Sequence, residues 1–255
     1  MGTSGNRKMT FKRFTVVDEK CAMKIGTDGV MLGAWSSPFN FIEKDNKNLH
    51  IVDIGSGSGV VALMLAQRFE NSTVTAIELE PLAAEQAREN FKSSPFDNAP
   101  ICVERSFQEW SSDVPDFNAD LVVSNPPFFH NKPKSPFYAR NLARHDDALP
   151  ISELFMGVSE VLKREGVFSI VWPIERNEDL MSAAKEHGFT LIRHCEILPT
   201  KKHSAVRFLA EFMFSENVES SVDYSKLILE TGEDNGSRNF TAEYYELMRD
   251  FFLDA

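Results

Sequence analysis

The chain has 255 residues, with 27 Lys and Arg against 38 Asp and Glu and a formal net charge of −11. That length suits one large domain, or one domain with small additions. A hydrophobic share of 42% with 25% charged residues excludes wholesale disorder, and the acidic balance argues against a generally basic nucleic-acid coat protein.

In chain order, Met1–Met9 is polar, so no secretory leader is expected. About 40 residues precede the first predicted strand, and residues 1–48 are expected to form an N-terminal cap over the site. Within them Gly29–Trp35 reads as a helix. Leu49–Ile54 is a short apolar run ending in glycines, which predicts a buried strand, and Val60–Phe69 follows at helical spacing. Thr73–Leu79 is β-branched and predicts a second strand. Leu82–Phe91 is rich in helix formers, and Pro81 suits a first helical position. Pro100–Glu104 and Ala119–Ser124 are the third and fourth strands, the latter stopped by Asn125-Pro126-Pro127. Ile151–Leu162 is a helix, with Gly166 in the turn after it. Gly166–Trp172, Phe189–Glu196 and Val206–Phe214 are strands five to seven, with a helix over Glu178–Glu186.

Strands alternating with helices predict an α/β fold, a doubly wound and mostly parallel seven-stranded sheet with helices on both faces. The last strand is expected to run antiparallel. This core spans residues 49–214, and residues 215–255 form an acidic C-terminal extension packed on the same domain. The longest apolar runs, such as Val60–Ala66, fall short of the roughly 20 residues a membrane helix needs. Cys21, Cys102 and Cys195 are far apart with no CxxC pair. A disulfide framework and a metal site are therefore not expected, and a cytoplasmic location is.

Three motifs carry chemistry. Asp53-Ile54-Gly55-Ser56-Gly57-Ser58-Gly59 lies between the first strand and its helix. Glycines there let the backbone turn tightly and approach a ligand at the carboxyl end of the sheet. The spacing is GxGxG, not the GxGxxG of dinucleotide-binding enzymes. Glu78 ends the second strand, 23 residues after Gly55. A carboxylate there can accept both ribose hydroxyls of an adenosyl ligand, with Glu80 as its competitor. Asn125-Pro126-Pro127-Phe128 ends the fourth strand. Its Asn and Pro carbonyls can accept hydrogen bonds from an exocyclic amine, and its aromatic ring can stack on a base.

These motifs, in this order, resemble the class I S-adenosylmethionine-dependent methyltransferases that act on amino groups. Phe14, the block Cys21–Trp35 (CAMKIGTDGVMLGAW), Ala143–Leu149 (ARHDDAL) and Tyr244–Leu253 (YYELMRDFFL) resemble the bacterial tRNA1(Val) adenine-N6 methyltransferases more narrowly. The resemblance covers essentially the whole chain. It implies S-adenosyl-L-methionine as methyl donor, S-adenosyl-L-homocysteine as product, and the anticodon stem-loop of tRNA as partner, with no membrane and no obligate protein partner. It also implies that Gly55 and Gly57 line the methionine part of the cofactor, Asp53 lies near its amino group, and Glu78 holds its ribose. Lys24, Thr27 and Asp28 belong to a segment that would cover the cofactor, although Thr27-Asp28 fits a helix-capping pair equally well. Where relatives carry Asp for the cofactor adenine, this chain has Ser106, whose hydroxyl can accept a hydrogen bond, and Phe107 can still offer its backbone N–H. Asn125, Pro126 and Phe128 would hold the target base. The family usually shows Tyr at Phe128, and stacking survives that change.

Charge is unevenly distributed. Lys132, Lys134, Arg140 and Arg144 fall in a stretch without acids, and Lys201 and Lys202 lie in a second basic segment. These six are the expected RNA contacts. The last 45 residues hold eleven acids against three bases. Two other activities fit an NPP-aromatic motif. One is guanine-N2 methylation of ribosomal RNA, whose enzymes usually have a duplicated N-terminal domain. The other is glutamine methylation of release factors, whose enzymes usually have a larger helical N-terminal domain.

Overall fold

A computed structural model describes residues 8–38, 48–127, 149–214, 221–232 and 239–253. Its sheet is built from β3 (Leu49–Ile54), β4 (Ser72–Glu78), β5 (Ile101–Glu104), β6 (Ala119–Ser124), β7 (Leu162–Pro173), β8 (Phe189–Thr200), β9 (Arg207–Phe214) and β10 (Asp223–Glu230). The strand order is β10-β8-β9-β7-β6-β3-β4-β5. All neighbours are parallel except β9, which runs antiparallel between β7 and β8. Chain order reverses between β3 and β6, the switch point where ligands settle in doubly wound sheets.

The sheet has eight strands where seven are predicted from sequence. The additional one, β10, lies in the acidic extension. Four of its residues in a row are exposed and only Leu227 is buried. An edge strand with so little burial shows weak alternation, which hides it from pattern reading. A second departure concerns Gly166: β7 starts at Leu162, and the irregularity lies inside the strand, with Glu165 at φ 63°.

Helices cover both faces. On one face lie α1 (Thr27–Trp35), α2 (Val60–Arg68), α3 (Pro81–Ser93) and the C-terminal α7 (Ala242–Met248). Their core includes Met31, Leu63, Met64, Phe91, Tyr244 and Phe251. The other face carries α4 (Phe107–Asp113), α5 (Ile151–Val161) and α6 (Asn177–Glu186), packed around Phe155, Phe168, Trp172, Phe208 and Phe212. Central strands thus bury both sides, as parallel sheets demand.

The N-terminal segment is tied down by named contacts. β1 (Lys8–Thr10) and β2 (Thr15–Val17) pair as a small antiparallel hairpin, and the Lys12 N–H donates to the Phe251 carbonyl. Asn90 on α3 donates to the carbonyls of Val17 and Ser58 (2.8 Å each), and its Oδ1 accepts the Val17 N–H at 3.0 Å. One buried carboxamide therefore fixes the segment against the glycine-rich turn. No helix among the described residues is long and apolar enough to cross a membrane.

Candidate active site

The carboxyl ends of β3, β4, β5 and β6 open into a cavity of about 310 Å³. Its floor is the turn after β3. Gly55, Gly57 and Gly59 have φ of 69°, 55° and 79°, left-handed values that disfavour side chains. A Cβ on Gly55 or Gly57 would meet nothing within 4 Å, so that backbone faces open space. A Cβ on Gly59 would lie 2.3 Å from the Phe91 ring, so α2 and α3 approach only because the residue is glycine.

Glu78 lines the cavity with both carboxylate oxygens already held by backbone. Oε2 accepts the Gly57 N–H at 2.7 Å and Oε1 accepts the Glu80 N–H at 2.8 Å. Burial raises its pKa, against the pull of those N–H groups. The competing Glu80 caps α3 by accepting the Ala83 N–H at 2.7 Å. Asp53 is buried, and its Oδ2 accepts the Ala62 N–H at 3.1 Å. Burial, helped by nearby Glu78, pushes its pKa up to about 7. Two carboxylates thus meet at one cavity with N–H donors for company. Ser56 contributes a buried Oγ that has no hydrogen-bond partner among the described residues.

The remaining predicted positions divide. Ser106, Phe107 and Asn125 line the cavity. The Ser106 Oγ accepts the Glu109 N–H at 3.3 Å and so caps α4. Lys24 lines it too, while its ammonium donates to the carbonyls of Asp18 (2.6 Å), Cys21 (2.9 Å) and Glu19 (3.3 Å). Thr27 and Asp28 are not among the lining residues. Helix α1 begins at Thr27, and Asp28 forms an ion pair with Arg207 of β9 at 3.5 Å. Pro126 is buried outside the lining, and Pro127 lines it instead. Lys201 and Lys202 are exposed in the turn after β8, at the same edge of the sheet as Glu78 and Asn125. Phe128, Lys132, Lys134, Arg140 and Arg144 lie outside the described residues.

Several lining residues are absent from the sequence prediction. Met23 and Leu79 line the cavity with large apolar side chains, each 40% exposed. Leu79 directly follows Glu78, so adjacency could have found it; Leu149 has no local signal. Cys21 also lines the cavity, but burial lifts its thiol to about 12, so it is no nucleophile at neutral pH. Among the described residues no group of His, Cys, Asp and Glu could hold a metal ion.

The fold and the glycine-turn site define a class I methyltransferase. The family model for the methyltransferase small domain matches residues 40–186, and the crystal structure of a predicted O-methyltransferase from Agrobacterium tumefaciens has the same fold (TM-score 0.65, 20% identity, 88% of this chain and 96% of that one). So does precorrin-6y C5,15-methyltransferase from Geobacter metallireducens (TM-score 0.52, 19% identity, 78% and 95% covered). More narrowly, the chain belongs to the family of tRNA1(Val) (adenine(37)-N6)-methyltransferases. It is 38% identical over 244 residues to the enzyme so named in Bacteroides thetaiotaomicron, covering 95% of this chain and 96% of that one. The namesake in Photobacterium profundum is 35% identical over 246 residues, covering 96% and 97%.

Proposed function

We propose that the protein transfers a methyl group from S-adenosylmethionine to the exocyclic N6 of an adenosine in tRNA, position 37 of valine tRNA. The observation that carries this reading is near full-length similarity to relatives bearing that name. The residues at the cavity fit the cofactor. An unobstructed glycine backbone, the half-buried Glu78 carboxylate held by two N–H groups, and the buried Ser56 hydroxyl suit a polar adenosyl ligand with a charged methionine end. The bound cofactor supplies an electrophilic methyl on a sulfonium.

The chain's own groups then bind and orient. A carboxylate has about four lone-pair directions, so Glu78 keeps acceptor capacity for a ribose hydroxyl beside its backbone N–H partners. Asp53 near pH 7 is poised to ionise against a cationic amino group, which lowers a carboxyl pKa. The adenine amine is a weak nucleophile because its lone pair is delocalised into the ring. The Asn125 side-chain carbonyl accepts a hydrogen from it and turns the lone pair toward the methyl, and Phe128 supplies a stacking face on sequence grounds. Catalysis is thereby mostly positioning and electrostatics, with no general base required of the motif. An anticodon-loop base is already partly unstacked, which lowers the cost of reaching such a pocket. Lys201 and Lys202, with Lys132, Lys134, Arg140 and Arg144, supply phosphate contacts, and the reaction belongs in the cytoplasm.

The test is methylation of bulk tRNA and ribosomal RNA from a strain lacking the gene, followed by nucleoside analysis. N6-methyladenosine in valine tRNA is expected, whereas N2-methylguanosine in ribosomal RNA would replace the proposal by guanine methylation. Asn125→Ala should lower turnover by about 10²–10³-fold, the scale of a lost transition-state hydrogen bond, with cofactor affinity near normal. Retained turnover would remove Asn125 from the reaction.

A further inference from the structure

We infer that Gly29, in the first turn of α1, is a positioning residue for methyl transfer, because its missing side chain leaves the Asn125 carboxamide its place at the cavity. A Cβ on Gly29 would lie 3.3 Å from Asn125 Nδ2 and 3.6 Å from Val61 Cγ2. The first distance is a few tenths of an ångström below ordinary carbon contact of about 3.5–4.0 Å. One of the two partners must therefore yield.

The helix is the harder partner to move. The Ile25 N–H donates to Asp18 Oδ2 at 2.9 Å just ahead of it, and Asp28 pairs with Arg207 at 3.5 Å. Asn125 is preceded by buried Ser124, whose Oγ donates to the Ile54 carbonyl at 3.1 Å, and is followed by two prolines with fixed φ. Its backbone is held on both sides, so a methyl at position 29 displaces the side chain. Amine orientation is sensitive to such shifts, since a misplacement of about 1 Å costs roughly 10²-fold in rate.

Gly33, one turn on, serves as the internal control. A Cβ there would lie 2.9 Å from Met64 Sδ, within the α1–α2 contact and away from Asn125. The inference rests on the reading of Asn125 as the residue that orients the base, so the experiment separates the two. Purified wild-type, Gly29→Ala, Gly33→Ala and Asn125→Ala proteins are compared for kcat on valine tRNA, S-adenosylmethionine affinity by calorimetry, and thermal midpoint. For Gly29→Ala, kcat should fall about tenfold. Cofactor affinity should stay within about threefold and the midpoint should hold or rise, because Ala is the better helix former. Gly33→Ala should lower the midpoint while leaving kcat unchanged. In an Asn125→Ala background, the same change at position 29 should raise the midpoint more than it does in the wild-type chain, because the clash partner is gone. Turnover of Gly29→Ala within twofold of wild type overturns the inference while the Asn125 reading stands. A loss of turnover that merely follows lost cofactor binding or lost stability overturns it too. Full turnover by Asn125→Ala removes the reading beneath it.

Discussion

Two regions of this molecule bury acidic side chains in opposite ways. At the cavity, Asp53 and Glu78 face backbone N–H groups of Ala62, Gly57 and Glu80. Beneath the end of α1, Glu211 of β9 is instead enclosed by cations. It pairs with Arg193 at 3.1 Å and accepts the Ser37 N–H at 2.8 Å. Arg193 also stacks on Trp35 at 3.7 Å, while Arg68 donates to the carbonyls of Gly33 and Ser36. Burial still lifts Glu211 to about 7 and lowers Arg68 to about 10. The contrast teaches how to tell a binding carboxylate from a structural one. An acid closed in by arginines has its electrostatic partners already and ties elements together. An acid steadied by N–H groups beside an open cavity keeps lone pairs for a ligand.

The sharpest way to break this contrast is Glu211→Ala. It leaves Arg193 and Arg68 without their carboxylate, and stability in urea should fall by about 3–5 kcal/mol. Cofactor affinity should not change. A stable variant that binds the cofactor weakly would reverse the assignment of the two regions.

A smaller effect is expected from Glu78→Ala. Calorimetry should show S-adenosylmethionine affinity weakened by about 1.5–3 kcal/mol, the scale of hydrogen bonds to a charged group. Its unfolding midpoint should shift less than that of Glu211→Ala. Unaltered affinity would take the ribose role away from Glu78.

The smallest effect per step is a pH slope. The Asp53 carboxyl stands near 7 in the folded chain and near 4 in the unfolded one. Between those values the unfolded chain ionises first, so stability falls as pH rises through about 4 to 7 and levels off above. Asp53→Asn should remove up to about 1.4 kcal/mol per pH unit of that slope. Urea midpoints at pH 5 and pH 7 measure it, and parallel slopes for both proteins would show that burial does not hold Asp53 protonated.

How much could be read from sequence follows the range of each interaction. Glu78 and Asn125 are legible because each ends a strand whose hydrophobic run announces it, and the glycine turn because strand, turn and helix are contiguous. Asp28 is readable only as part of a block, because its partner Arg207 comes from a distant strand. Ser106 reads as an adenine contact, and its cap on α4 emerges only once that short helix exists. The N-terminal hairpin and β10 escape notice since their strands are three residues long or largely exposed.

By itself the sequence determined the alternating α/β plan, the ligand edge of the sheet and the three motifs on it. Those depend on local periodicity and on glycines and prolines whose backbone limits act within a few residues. Tertiary structure alone decided which buried acids keep free lone pairs, where the eighth strand pairs, and that Gly29 sits against Asn125. Burial, charge pairing and close contact arise between elements far apart in the chain, and no local pattern encodes them.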